Sequence, residues 1–89
     1  MIEREILISN RLGLHARAAA KFVQEAGRYK ARIAIMRDGQ SVDGKSILGI
    51  LTLAAGQGTR LVLQVDGPDE TEAAGALVRL VDDKFGEGQ

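Results

Sequence analysis

The chain has 89 residues, a length that suits one compact domain, and we expect residues 1–89 to form a single domain. Twelve Lys and Arg residues balance twelve Asp and Glu residues, and the zero net charge argues against a nucleic-acid-binding protein. The chain has no cysteine and one histidine, which excludes cysteine nucleophiles, disulfides and a histidine-based metal centre, so no metal or cofactor is expected.

The sequence has no segment typical of membrane insertion or export. No stretch approaches the ~20 consecutive apolar residues of a membrane-spanning helix. Residues 1–5 include Glu3, Arg4 and Glu5, whereas a signal peptide needs an apolar run near its start. We therefore expect a cytoplasmic protein that does not insert into a membrane.

Two periodicities follow one another in the first third of the chain. Residues 2–8 alternate in polarity and predict a strand, with three isoleucines on one face. The alternation breaks at residues 10–13. From residue 16 to residue 26 apolar side chains recur at helical spacing, so the sequence predicts a helix that ends at Gly27.

The middle of the chain predicts a hairpin. Residues 32–37 alternate again and indicate a second strand. Asp38 and Gly39 both tolerate positive φ and predict a tight turn, after which residues 40–42 supply a short third strand.

A short apolar run follows the hairpin. Ser46 is a favourable N-cap, and the β-branched content of residues 47–55 is low, so a helix is favoured there over a strand. On a helix these apolar residues divide into two groups, and both groups cannot face one sheet. One of the two groups is therefore either enclosed by core on a second side or partly exposed as a docking patch. The first group is Ile50 and Leu53, and the second group is Ile47, Leu48 and Leu51.

The last third of the chain predicts one more strand and one more helix. Residues 60–66 alternate with their leucines and one valine on a common face. Residues 67–69 open the final helix, and its acidic first turn suits the positive end of the helix dipole. We expect residues 86–89 to be frayed. The buried stripe of the helix is predicted to be Ala73, Leu77, Leu80 and Val81.

The predicted order of elements is therefore βαββαβα. Alternating strands give the sheet one face for the core and one for water, and three helices can cover the core face. We predict an α+β fold with two layers, a sheet and the helices that cover one of its faces.

The single histidine is the first candidate functional residue. His15 follows the turn at Gly13 and lies at the start of the first predicted helix, where backbone N–H groups and the helix dipole favour an anion. Neutral imidazole is a nucleophile, and Arg17 could bind the same anion through two hydrogen bonds. This combination fits phosphoryl transfer better than proton transfer. The alternative is a histidine that only caps the helix.

Ser46 is the second candidate. One interpretation is plain capping of the helix that follows it. The other is regulatory phosphorylation, which would add about two negative charges beside any partner docked on that helix. The residues alone leave both interpretations open.

Two motifs and the distance between them resemble one protein family. Gly-Leu-His-Ala-Arg at residues 13–17 and Lys-Ser-Ile at residues 45–47 are together similar to the histidine-containing phosphocarrier (HPr) family of the bacterial phosphotransferase system. The resemblance covers about residues 2–85 and includes the hairpin and the Gly-Thr pair at residues 58–59. It implies an open-faced β-sandwich whose four-stranded antiparallel sheet is covered on one face by three helices.

The resemblance also implies roles for individual residues. His15 would accept a phosphoryl group on Nδ1 from phosphorylated enzyme I and pass it to an enzyme IIA component, as a carrier rather than a turnover enzyme. Arg17 and the backbone N–H of Ala16 would stabilise the phosphate. Ser46 would be the residue that an ATP-dependent HPr kinase/phosphorylase phosphorylates. The docking surface shared by successive partners would consist of Ile47, Leu48 and Leu51.

The chain departs from the family pattern before and after the histidine. Many members have Pro where this chain has Ala18, and some carbohydrate-type members have Asn where it has Leu12. Residues 10–13 look closer to the nitrogen-related branch (NPr), whereas residues 45–49 look like the kinase-regulated branch. The alternative function is therefore a regulatory interaction module that acts by partner binding. A monomer is expected, because each partner needs the same face.

Overall fold

Four strands form one antiparallel sheet in the computed structural model, which describes residues 1–88. The strands are β1 (Ile2–Leu7), β2 (Arg32–Arg37), β3 (Gln40–Asp43) and β4 (Arg60–Asp66). Their spatial order is β1-β4-β2-β3, and every neighbouring pair is antiparallel.

Three helices pack on the core face of this sheet. They are α1 (Ala16–Ala26), α2 (Ile47–Thr52) and α3 (Glu70–Asp82), and a 3-10 turn at Lys84–Gly86 follows the last of them. The predicted element order and the open-faced, two-layer α+β architecture are confirmed. Within residues 1–88, no helix has the length and apolar character to cross a bilayer.

Alternation along the strands directs apolar side chains toward the helices. Cross-strand pairs of large apolar side chains stabilise a sheet by about 0.2–1 kcal/mol each relative to alanine pairs. Phe22 of α1 and Phe85 of the 3-10 turn are the largest fully buried side chains, and the turn that carries Phe85 packs against α1 and α3. The pairs on the core face are Ile6 with Leu61, Ile33 with Val65, and Ile35 with Leu63.

Helix α2 is shorter than predicted and ends at Thr52 rather than at residue 55. Ala54 has a φ of 50°, so the chain has left the helical conformation there. Arg37 of β2 donates from Nη1 to the carbonyl oxygens of Leu53 and Ala54 at 2.6 and 3.0 Å. A cation from the sheet thus satisfies the carbonyl groups beyond the end of this helix.

The buried face of α3 differs in part from the prediction. Ala73, Leu77 and Val81 are buried as expected, but Leu80 is only half-buried and Ala74 is in the core. At about 100° per residue, Leu80 lies at the edge of the stripe that the other four residues define. The buried face of α3 is therefore rotated slightly from the predicted one, toward Ala74 and away from Leu80.

The chain beyond α3 folds back on the helices, so the expectation of a frayed tail is wrong for residues 86 and 87. We call residues 84–87 the C-terminal hook. Phe85 is 1% exposed, and Lys21 Nζ of α1 donates to its carbonyl oxygen at 2.7 Å. The buried ring of Phe85 anchors this segment. The polar residues around Phe85 in the sequence gave no reason to expect this burial. Gln89 lies outside the described residues.

Asp69, which precedes α3, ties that helix to the start of β2. Its carboxylate accepts hydrogen bonds from the backbone N–H groups of Lys30 and Ala31 at 2.8 and 2.9 Å. The bond from Lys30 is the main reason that the pKa of Asp69 is lowered from its usual value. The pKa of Asp69 is therefore lower in the folded protein than in the unfolded chain. The charged carboxylate contributes its full stabilisation at pH values above the unfolded-state pKa, and this stabilisation is lost as the pH falls through the folded-state pKa.

We therefore expect the free energy of unfolding to fall with acidification below about pH 4, and Asp69→Asn to weaken that dependence. Urea unfolding at a series of pH values measures it. Asp82→Asn, at the exposed end of α3, is the matched control and should keep the parent's pH dependence. An unchanged pH dependence in Asp69→Asn would contradict the assignment.

Candidate functional site

His15 is the N-cap of α1. Its backbone is extended (φ −75°, ψ 177°), and its Nδ1 accepts a hydrogen bond from the backbone N–H of Arg17 at 3.2 Å. The side chain is 27% exposed, so the ring is held but accessible. The capping interpretation and the nucleophile interpretation of His15 are thus compatible, because the capping contact leaves Nδ1 at the positive end of the helix.

The loop before His15 packs against the segment that follows α2. Gly13 has a φ of 67°, and a Cβ atom there would lie 2.5 Å from the carbonyl oxygen of Ala55 and 2.7 Å from Gly56 Cα. Leu14 is buried, and its N–H donates to the same Ala55 oxygen at 2.8 Å. Glycine at residue 13 is therefore required by both the conformation and the close approach of two backbones.

His15, Ala16 and Arg17 line one shallow, open depression of about 650 Å³. Both Ala16 and Arg17 are exposed, and Ala16 is the first residue of the helix. The depression also contains two side chains from the preceding loop, Arg11 and Leu12, and one from the C-terminal hook, Glu87. The structure thus brings the three predicted phosphate-site residues together at a helix N-terminus with a second arginine, a setting suited to an anion.

Glu87 is a site residue that the sequence analysis missed. Its Oε2 lies 2.5 Å from His15 Nε2, and its Oε1 accepts from Asn10 Nδ2 at 3.0 Å. Asn10 is fully buried and also donates to the carbonyl oxygen of Gly13 at 2.7 Å. Because both partners of Asn10 Nδ2 are acceptors, the orientation of its amide is fixed by the network. No local pattern connects Glu87 with His15, since the two are 72 residues apart.

The surroundings of Glu87 favour its charged form. The hydrogen bond from Asn10 is the largest cause that lowers the pKa of Glu87, desolvation opposes it, and the contact with His15 and the charge of Lys21 lower it further. A carboxylate, rather than a carboxylic acid, therefore faces the ring at neutral pH. A charged carboxylate accepts hydrogen bonds and donates none.

Ser46 caps α2, and its Oγ accepts from the backbone N–H of Gly49 at 3.0 Å. Ser46 does not line the depression around His15. The prediction that one apolar group of this helix is partly exposed is confirmed: Ile50 and Leu53 are in the core, whereas Leu48 and Ile47 are 76% and 42% exposed and Leu51 is half-buried. Ile47 and Leu48 therefore form a surface patch, and Leu51 lies at its edge, packed against the core. We call Ile47, Leu48 and Leu51 the α2 patch.

The chain is similar to known phosphocarriers along its whole length. Residues 2–83 match the family model described as the PTS HPr component phosphorylation site. The phosphocarrier protein HPr of Cupriavidus necator is 49% identical over 89 residues, which cover 100% of both chains.

Solved structures agree with this similarity. The crystal structure of HPr-C-His from Thermoanaerobacter tengcongensis has a TM-score of 0.95 and 47% identity over 98% of each chain. A crystal structure of an HPr dimer from the same organism has a TM-score of 0.79 and 47% identity, and covers 98% of this chain and 100% of that chain.

Proposed function

Because the chain belongs to the HPr phosphocarrier family of the phosphotransferase system, we propose that His15 is the residue that carries its phosphoryl group. The observation that supports this assignment best is the position of His15 at the N-cap of α1, with Nδ1 directed at the backbone N–H of Arg17. A nucleophilic nitrogen at the positive end of a helix can both attack a phosphoryl group and retain it.

In the proposed transfer, Nδ1 of His15 attacks the phosphorus of the donor. The backbone N–H of Arg17, which donates to Nδ1 in the free protein, then donates to a phosphate oxygen. The N–H of Ala16 and the guanidinium of Arg17 supply further donors around the same group. Phosphoryl transfer depends mainly on positioning and charge stabilisation, which this arrangement provides without a cofactor.

We assign phosphorylated enzyme I as the donor and a histidine of an enzyme IIA component as the acceptor. The α2 patch would dock both partners in turn, since an exposed apolar surface beside the histidine loop suits transient contacts. The chain would act as a monomer in each complex, because both partners use the same face. It is a carrier that is regenerated by its partners rather than an enzyme with its own substrate.

Intact-mass measurement of the purified protein with phosphoenolpyruvate and enzyme I tests this function. We expect the mass of one phosphate to be added, and we expect it to be lost in acid, as a phosphorus–nitrogen bond requires. A folded protein that gains no phosphate under these conditions would refute the carrier function and leave His15 as a capping residue.

The second candidate function is regulation by the charge of Ser46, acting through partner binding. The supporting observation is that Ser46 caps α2 immediately before the exposed Ile47 and Leu48. A phosphate on Oγ would replace the hydroxyl acceptor of Gly49 N–H without opening the helix, since a helix N-terminus tolerates negative charge. We assign an ATP-dependent HPr kinase/phosphorylase as the modifying enzyme.

We expect Ser46→Asp to weaken the binding of enzyme I severalfold, because it adds a charge beside the apolar docking patch. Aspartate is as good an N-cap as serine, so the helix should remain folded. Isothermal titration calorimetry with enzyme I measures the affinity, and Ser41→Asp on the exposed strand β3 is the matched control. Equal affinities for Ser46→Asp and the parent would count against the regulatory role.

A further inference from the structure

We propose that Glu87 is a positioning residue for phosphoryl transfer: it holds His15 in the tautomer that leaves Nδ1 unprotonated, and it balances the charge of the phosphorylated ring. This inference rests on the proposed function of His15. It adds a residue from the far end of the chain to a site otherwise built from one loop and one helix.

The two ring nitrogens of His15 have partners that demand the same tautomer. Nδ1 lies 3.2 Å from the backbone N–H of Arg17, which can only donate, so Nδ1 must offer a lone pair. Nε2 lies 2.5 Å from a carboxylate oxygen of Glu87, which can only accept, so Nε2 must carry the proton. Both contacts leave the lone pair on the nitrogen that attacks phosphorus.

Glu87 is held at the ring by several independent contacts. Phe85, two residues earlier, is buried in the core, and its carbonyl oxygen is bound by Lys21 Nζ. The buried amide of Asn10 binds the second carboxylate oxygen of Glu87, and the glutamate side chain is only 15% exposed. Phe85 and Lys21 thus hold the backbone near Glu87, and Asn10 holds its carboxylate, so the carboxylate loses little further freedom when it orients the ring.

The same contact fits the charge changes of the transfer step. During uptake, the Nδ1 lone pair of His15 forms the nitrogen–phosphorus bond while the donor's bond to phosphorus breaks and its electron pair stays on the donor. No proton leaves the ring, which therefore becomes a cation, and the carboxylate of Glu87 balances that cation. During donation, the Nδ1–P bond breaks and its electron pair returns to Nδ1, which restores the neutral Nε2–H ring.

Glu87→Gln tests this role because glutamine cannot reproduce both contacts. If its amide oxygen keeps the bond from Asn10, its NH₂ group faces His15 Nε2 and requires a lone pair there. This contact favours the Nδ1–H tautomer and opposes the preference set by the N–H of Arg17, so the population with a nucleophilic lone pair on Nδ1 falls. We expect ¹⁵N spectra of the neutral imidazole to report Nε2–H in the parent protein and a clearly increased fraction of Nδ1–H in Glu87→Gln.

The matched control is Glu72→Gln, which removes the same charge from an exposed position on α3 and should leave the tautomer unchanged. Thermal unfolding of all three proteins shows whether the fold is retained. We expect phosphoryl uptake from enzyme I to slow about fivefold or more in Glu87→Gln, since the rate follows the population of the competent tautomer.

The outcomes separate this inference from the proposed function. A parent protein that accepts phosphate, together with the same tautomer and uptake rate in Glu87→Gln, would overturn the role of Glu87 and leave the carrier function intact. A predominantly Nδ1–H ring in the parent protein would also overturn it. If the parent accepts no phosphate, the carrier function fails and with it the role of Glu87 in transfer.

Discussion

His15→Ala is expected to abolish phosphoryl uptake while the domain remains folded. The variant removes the attacking nitrogen, and no other side chain around the depression offers an unprotonated nitrogen at neutral pH. It also removes the capping acceptor of Arg17 N–H, which costs about 1 kcal/mol of the free energy of unfolding. Intact mass after incubation with phosphoenolpyruvate and enzyme I measures uptake, and urea unfolding measures stability.

His15→Asn is the matched control for the capping contribution. Asparagine is among the best N-cap residues, so this variant should recover the stability lost in His15→Ala and still accept no phosphate. Loss of uptake in both variants, with stability lost in only one, separates the chemistry of the ring from its structural contact. Acid-labile phosphate on either variant would show that the carrier residue is not His15.

Phe85→Ala is expected to lower the free energy of unfolding by about 4 kcal/mol. The ring is 1% exposed, and its removal leaves a cavity in the core where the 3-10 turn packs against α1 and α3. A domain of this length has a total stability of about 4–13 kcal/mol, so the change removes a large part of it. Urea unfolding of the variant against the parent measures the loss.

Phe85→Leu provides the comparison, since it keeps most of the apolar volume and should cost about 1–1.5 kcal/mol. A loss below about 1 kcal/mol in Phe85→Ala would contradict the view that this ring belongs to the core. In Phe85→Leu the C-terminal hook should still bring Glu87 to His15.

Local patterns were sufficient to predict most of the fold. The strands were recognisable because each one alternates between a covered and an open face of the sheet. The turn was recognisable because Asp and Gly are residue types that tolerate positive φ, and Asp38 and Gly39 adopt φ values of 50° and 84°. The two-sided character of α2 followed from helical spacing alone, and the exposure of Leu48 agrees with it.

Those local patterns could not predict contacts between residues that are far apart in the sequence. Residues 86–89 have the composition of a polar, glycine-containing tail. Nothing in that composition indicated that the carboxylate of Glu87 contacts the ring of His15. Asn10 looked like an ordinary loop residue, but it is fully buried and binds Glu87 of the hook. The carbonyl groups beyond the early end of α2 are bound by Arg37, which comes from a strand outside the helix. In each case a partner far away in sequence decides the outcome.

The close approach of Gly13 to Ala55 has a consequence for how another protein can locate the histidine. The bond from Leu14 N–H to Ala55 joins the loop that carries His15 to the segment that follows α2, and this contact restrains each of them relative to the other. A protein that binds the α2 patch therefore meets the imidazole in a restrained position, with less ordering left to do. Proteins with unrelated folds can then reach the same nitrogen atom, provided that each has a matching apolar surface at the right separation from its own reacting group.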